Sequence, residues 1–164
     1  GEMRDIDTTR TALMAAETGH LVFSTLHSRD AVASINRILG MFPAIEQIQI
    51  RQQLASSLKA VISQQLLPRM DKPCRVPAVE IMFMTSAISN LIRLSKSEQV
   101  YSSIEMGRRD GMQTMEQSLV DLVRASVIDL DTAMRHSQHK QILQERLRSC
   151  NGSPRSGSSW NAAR

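Results

Sequence analysis

The first 28 residues constrain the fold more than any other stretch. An acidic pair, Glu2 and Asp5, brackets Arg4, and a helical run follows from Ile6 to Thr18 with Ile6, Leu13 and Ala16 on one face. Gly19 is placed to end that helix in a left-handed conformation. A short apolar run then spans Leu21 to Leu26, with His20 before it and His27 after it. Helix, glycine stop, buried strand and a polar residue at the strand's carboxyl end make up the grammar of an α/β sheet. In open sheets of that kind ligands collect beyond the carboxyl ends of the strands. His27 therefore falls at the predicted site.

Charge removes one class of partner. Lys and Arg number 20 against 16 acidic residues, but residues 1–145 hold 16 of each. All of the excess lies in the last nineteen positions, at Arg146, Arg148, Arg155 and Arg164. The body has no net charge to steer it toward nucleic acid, and only the tail's charge speaks for such a partner. Aromatic residues make up 3% of the chain, so the core is expected to be aliphatic and rich in Met and Ala. Cys74 and Cys150 lie far apart without metal-ligand spacing, which predicts reduced thiols. No apolar run reaches the roughly 18 residues needed to span a bilayer.

The remaining pattern predicts a helix capped by Ser28 that runs to Leu39 and stops at Gly40, then a longer helix over Ala44–Leu58. Val61–Leu67 reads as a strand, and the alternation of Val79, Ile81 and Phe83 as its hairpin partner, with Pro77 marking an edge. Helices follow over Ala87–Arg93, around Val100–Ile104 up to Gly107, and over Met112–Val123. A last one, capped by Asp129 or Asp131, runs to about Leu147. Residues 148–164 are predicted to be a disordered tail.

G-E-M-R-D followed by T-G-H-L-V-F-S-T-L-H resembles the Walker B end and histidine box of the type II/IV secretion ATPase superfamily, and most of all its pilus-retraction branch. Phe42-Pro43, Ala60–Leu67, Glu80-Ile-Met82, Ala87–Arg93 and Gly111–Met115 carry the likeness on, as far as about Gln138. The Ala87-Ile-Ser-Asn-Leu-Ile-Arg93 run resembles the retraction motif A-I-R-N-L-I-R-E, with Ser89 in place of the first Arg and Leu94 in place of the Glu. None of the seven glycines begins the G-x-x-x-x-G-K-[ST] run that cradles phosphates. The resemblance therefore implies the C-terminal part of a RecA-like α/β P-loop ATPase core (1–84) followed by a helical region (85–147). Such a piece alone is expected to be inactive.

The same resemblance assigns roles. Glu2 would be the Walker B glutamate that handles the attacking water, and His27, with His20, would meet the nucleotide's γ-phosphate. His20 has an equally good reading as a support for the turn after the helix. Arg4 and Arg10 either pair with Glu2 or Asp5 or reach phosphates across a subunit interface. The implied cofactors are ATP and Mg²⁺. The implied partners are further copies in a ring, a hexamer by family likeness, and an inner-membrane pilus platform protein at the cytoplasmic face. Two other readings stay open: a type II secretion or pilus-assembly ATPase, and a non-catalytic ring-assembly module.

Overall fold

A computed structural model describes residues 1–149, so the residues after 149, for which the sequence predicts disorder, lie outside the described part. The chain opens with α1 (Ile6–Glu17), which starts where Asp5 caps it. The Asp5 carboxylate accepts the Thr8 amide at 2.8 Å and the Thr8 hydroxyl at 3.1 Å. Replacing a capping acid by alanine costs about 1 kcal/mol. Asp5→Ala is thus expected to lower the urea midpoint while leaving the m-value unchanged. Gly19 adopts φ +92°, the left-handed conformation predicted for it.

The run after it departs from expectation. Leu21–Leu26 forms no ladder, and Leu21 and Phe23 are about four-fifths exposed. Among the described residues its backbone bonds only to residues 1–3, through Met3 N–H to Thr25 O and Thr25 N–H to Gly1 O, both 3.3 Å. Three residues of partner give one parallel bridge, Glu2 to Thr25, which is too little for a strand. An open groove of about 800 Å³ lies between this run, α1 and the strand β1 described below.

Next come α2 (Ala31–Gly40) and α3 (Ala44–Ser57). Asp30, not Ser28, caps α2, accepting the Ala33 amide at 2.6 Å. Ser28 instead bonds the Ser34 hydroxyl at 2.6 Å, and Gly40 closes the last helical turn without left-handed geometry. The strands β1 (Ala60–Pro68) and β2 (Arg75–Phe83) make the predicted antiparallel hairpin, with Ser63 opposite Glu80. The inward face of β2 carries Ala78, Glu80 and Met82, not Val79, Ile81 and Phe83. The outer edge of β2 also pairs with Gln113 through two bonds from Ile81, at 2.8 and 2.9 Å.

Thr85 caps α4 (Ser86–Arg93), and α5 (Val100–Met106) leads through a 3₁₀ turn to Gly111, at φ +85°. A reciprocal cap of Thr114 and Gln117 starts α6 (Met115–Arg124), three residues later than the sequence predicts. The single last helix predicted from Asp129 is two. α7 (Leu130–His136) is capped by Asp129, and α8 (Lys140–Arg148) follows a break at Ser137–His139. The break brings Ser137 and the His139 amide onto the buried Glu116 carboxylate, a bond set that an unbroken helix could not make.

Packing divides the core in two. Leu13, Ile35, Ile38, Leu54, Met82, Ile88, Ile92 and Ile104 form one apolar cluster, joining α1–α5 with the hairpin's end. Leu67, Ala78, Met115, Leu119, Ile128 and Leu143 form the other, joining α6–α8 with the hairpin's turn side.

Candidate active site

The opening residues converge on one carboxylate. The extended Gly1–Met3 segment lies beside Thr25, so Glu2 comes next to the end of the 21–26 run and reaches His27 two residues on. His27 Nε2 lies 2.7 Å from Glu2 Oε1, and an Arg4 guanidinium nitrogen lies 2.7 Å from Oε2. The Glu2 side chain is 23% exposed, whereas Arg4 and His27 are each 74% exposed. The Arg4 guanidinium, with His27 adding to it, holds the Glu2 carboxyl below the usual carboxylate range. Glu2 is therefore an anion at neutral pH, each of its oxygens occupied by a solvent-facing donor. Arg37 steadies the site from α2 by donating to the His27 carbonyl at 3.2 Å.

The other two sequence candidates sit elsewhere. His20 Nδ1 lies 3.1 Å from the Thr18 hydroxyl and 3.3 Å from the Ala15 carbonyl, at the C-terminal end of α1. That geometry supports the turn around Gly19. Arg10 pairs with Glu46 at 2.7 Å and stands 5.3 Å over the Phe42 ring, which ties α1 to α3. Glu2, Arg4 and His27 are thus brought together, and His20 and Arg10 are not part of that contact.

Sequence reasoning missed a second polar centre behind this one. Glu80 is 3% exposed, and its carboxylate accepts the Ala31 amide at 2.8 Å and faces the Met115 amide at 3.4 Å. Burial pushes the Glu80 carboxyl up to about 7, against the pull of those two amides, and the charges of Asp30 and Glu116 push it the same way. Glu116, 1% exposed, accepts the Tyr101 and Ser137 hydroxyls at 3.0 Å and the His139 amide at 3.2 Å. Apolar neighbours two positions either side of Glu80, Ala78 and Met82, were the available signal.

The residues fit one side of a magnesium–nucleotide site. They offer an ionised carboxylate and two exposed donors suited to phosphate oxygens. Among the described residues no group of three His, Cys, Asp or Glu is placed to hold a metal ion. A magnesium ion there would take most of its oxygens from phosphates and water, as is usual for this ion.

Comparison with known proteins decides the family. The family model described as "Type II/IV secretion system protein" matches residues 1–156. The chain belongs to that family. The match passes beyond Gln138, where the likeness read from motifs ends. The chain is 48% identical over 143 residues to a twitching motility protein of Neisseria gonorrhoeae, covering 87% of this chain and 38% of the relative. It is 49% identical over 133 residues to the type IV pilus retraction ATPase PilT of Pseudomonas aeruginosa, covering 81% and 38%. The crystal structure of the pilus retraction motor PilT with bound ADP superimposes with a TM-score of 0.79 at 46% identity, over 88% of this chain and 40% of that one. The chain therefore spans about two fifths of the length of these relatives. Its fold is the expected one, the C-terminal part of an α/β ATPase core with a small sheet and a following set of helices. Among the described residues no helix is long and apolar enough to cross a membrane.

The retraction-type run from Ala87 to Arg93 has a structural role of its own. Ser89 is buried, and its hydroxyl donates to the Ala55 carbonyl of α3 at 2.7 Å. In this chain position 89 thus serves the contact between α4 and α3. Leu94 is 55% exposed.

Proposed function

We propose that this chain is the C-terminal part of an ATP-hydrolysing motor that drives type IV pilus retraction, with Glu2 as its hydrolytic carboxylate. The observation that carries the reading is the clamp on Glu2, an anion held by Arg4 on one oxygen and His27 on the other. Bound ATP would supply the phosphoryl group that is transferred to water. Withdrawal of His27 frees Glu2 Oε1 to orient that water, and the freed imidazole can donate to a phosphoryl oxygen. Arg4, exposed to solvent, keeps Glu2 ionised or turns to phosphate. His20 and Arg10 keep the nucleotide-facing assignment of the sequence reading only as support, through the turn at Gly19 and the α1–α3 contact. A ring of identical copies, working against an inner-membrane platform protein at the cytoplasmic face, completes the motor. Likeness to the retraction ATPase over most of the chain favours this branch over secretion and pilus-assembly ATPases.

The test is a chimaera in which this chain replaces the corresponding part of the P. aeruginosa retraction ATPase. Magnesium-dependent ATP hydrolysis and restored twitching in a strain lacking that ATPase are expected, while the chain alone should show no turnover. A folded, ring-forming chimaera without hydrolysis would contradict the reading.

A further inference from the structure

His27 lies at the start of a four-residue loop, 27–30, that ends in the cap of α2. Two side-chain contacts tie the far end of that loop to the α6–α8 region. Buried Glu80 accepts the Ala31 amide, the first of α2, at 2.8 Å, and its other oxygen faces the Met115 amide, the first of α6, at 3.4 Å. Asp30 accepts the Ala33 amide with one oxygen and, with the other, the Gln138 side-chain amide at 2.7 Å, from the break between α7 and α8. Each helix start presents unpaired N–H groups and the positive end of its dipole, so one carboxylate between two such starts fixes their relative position. Glu80 also stands where the two apolar clusters meet, with Met82 in one and Ala78 in the other. The rigid α2 then transmits that position back to His27, whose carbonyl is held by Arg37 of the same helix.

We propose that Glu80 is a positioning residue for hydrolysis, locking the His27 loop to the α6–α8 region so that this region sets how His27 meets Glu2. The proposal rests on the reading of Glu2 and His27 as the hydrolytic pair. It gives the C-terminal helices a part in the chemistry without contact to the reacting atoms. Any movement of the α6–α8 region against α2 must pull on Glu80 through Met115 and on Asp30 through Gln138, and the loop between His27 and Asp30 is too short to absorb it.

Two readouts test it, one independent of nucleotide. In the 164-residue chain, the ¹⁵N resonance of His27 Nε2 reports its bond to Glu2. Glu80→Asp draws the carboxylate back by one methylene, so it no longer reaches both helix starts, whereas Glu80→Gln keeps the length and an acceptor for the Ala31 amide but none for the Met115 amide. The expected result is a shifted His27 signal in Glu80→Asp and a smaller shift in Glu80→Gln, which keeps the Ala31 bond. In the chimaera, Glu80→Asp should lower kcat about tenfold to a hundredfold, the scale of a misplaced reacting group. The KM for ATP should stay within about twofold, and Glu80→Gln, with the Ala31 bond kept, should lose less turnover than Glu80→Asp. A residue that merely supports the fold would reduce the folded fraction but leave kcat per folded molecule and the His27 signal unchanged, and that result overturns the proposal. Should Glu80→Asp not fold, Gln138→Ala cuts the exposed tether to Asp30 and is read in the same two ways, with the same overturning result. Hydrolysis indifferent to Glu2→Gln would instead overturn the assignment of the pair, while the His27 signal still decides whether Glu80 sets the loop.

Discussion

Glu2→Gln in the chimaeric motor is expected to leave ATP binding intact and to lower hydrolysis by roughly 10²–10⁴-fold, the scale of a positioned acid–base group. Glutamine keeps the size of glutamate and one acceptor oxygen, so His27 still has a partner, but the anion that orients water is gone. The expected signature is a fall in kcat with little change in KM, since phosphate binding draws on groups elsewhere. His27→Ala gives the contrast. It leaves the Arg4–Glu2 pair in place and removes the donor that, in the proposed mechanism, passes from Glu2 Oε1 to phosphate, so both hydrolysis and ATP-driven rearrangement of the ring should weaken. Because the His27 side chain is 74% exposed, its loss should hardly change the melting temperature. Unchanged turnover in the His27 variant, or normal hydrolysis by Glu2→Gln, would remove that residue from the mechanism.

Much of the fold was legible because local chemistry decides it. Gly19 at φ +92° after the end of α1 and Asp129 at the start of α7 act through bonds to residues three positions away. The hairpin was readable from alternation, yet its inward face was not. Val79, Ile81 and Phe83 are the more apolar alternate set, but Glu80 faces inward because the starts of α2 and α6 converge there, a long-range fact invisible to a short window. The break between α7 and α8 was hidden for the same reason, since Glu116 lies far from Ser137 and His139 in sequence.

The 21–26 run failed in the other direction. Its composition is that of a buried strand, but a strand needs backbone partners along an edge, and residues 1–3 supply only one bridge. One bridge is enough to bring Glu2 within 2.7 Å of His27, a contact the sequence reading did not contain, since it turned His27 toward phosphate and paired Glu2 with arginine. For Arg10 the sequence left a pair with Glu2 or Asp5 and a phosphate across a subunit interface open; within the chain it meets neither acid and instead pairs with Glu46 of α3 and stands over Phe42.

Raising the pH from 5 to 8 is expected to cost the protein stability through Glu80. Its carboxyl titrates at about 7 when folded, against an ordinary value of 4.5. The folded state therefore binds the proton more tightly, and stability falls wherever it holds more protons than the unfolded chain. The contribution is fully present below about 4.5 and is lost as pH rises through about 7. Its size is about 3 kcal/mol, at 1.36 kcal/mol for each pH unit of displacement. Asp30 and Glu116 face the same carboxylate from α2 and α6, and Glu98, Tyr101 and His139 line the small cavity beside it, so the ionised form also meets an acidic surround. Carboxyls held low, such as Asp71 at about 2 beside Arg69, have the opposite slope but finish titrating below pH 5. Glu80→Gln removes the titrating group and keeps an acceptor for the Ala31 amide. Urea midpoints measured at pH 5 and pH 8 should therefore diverge, with the parent losing about 2–3 kcal/mol more than Glu80→Gln over that interval. Parallel curves would mean that Glu80 ionises as an ordinary surface acid, and that the two helix starts offset its burial in full.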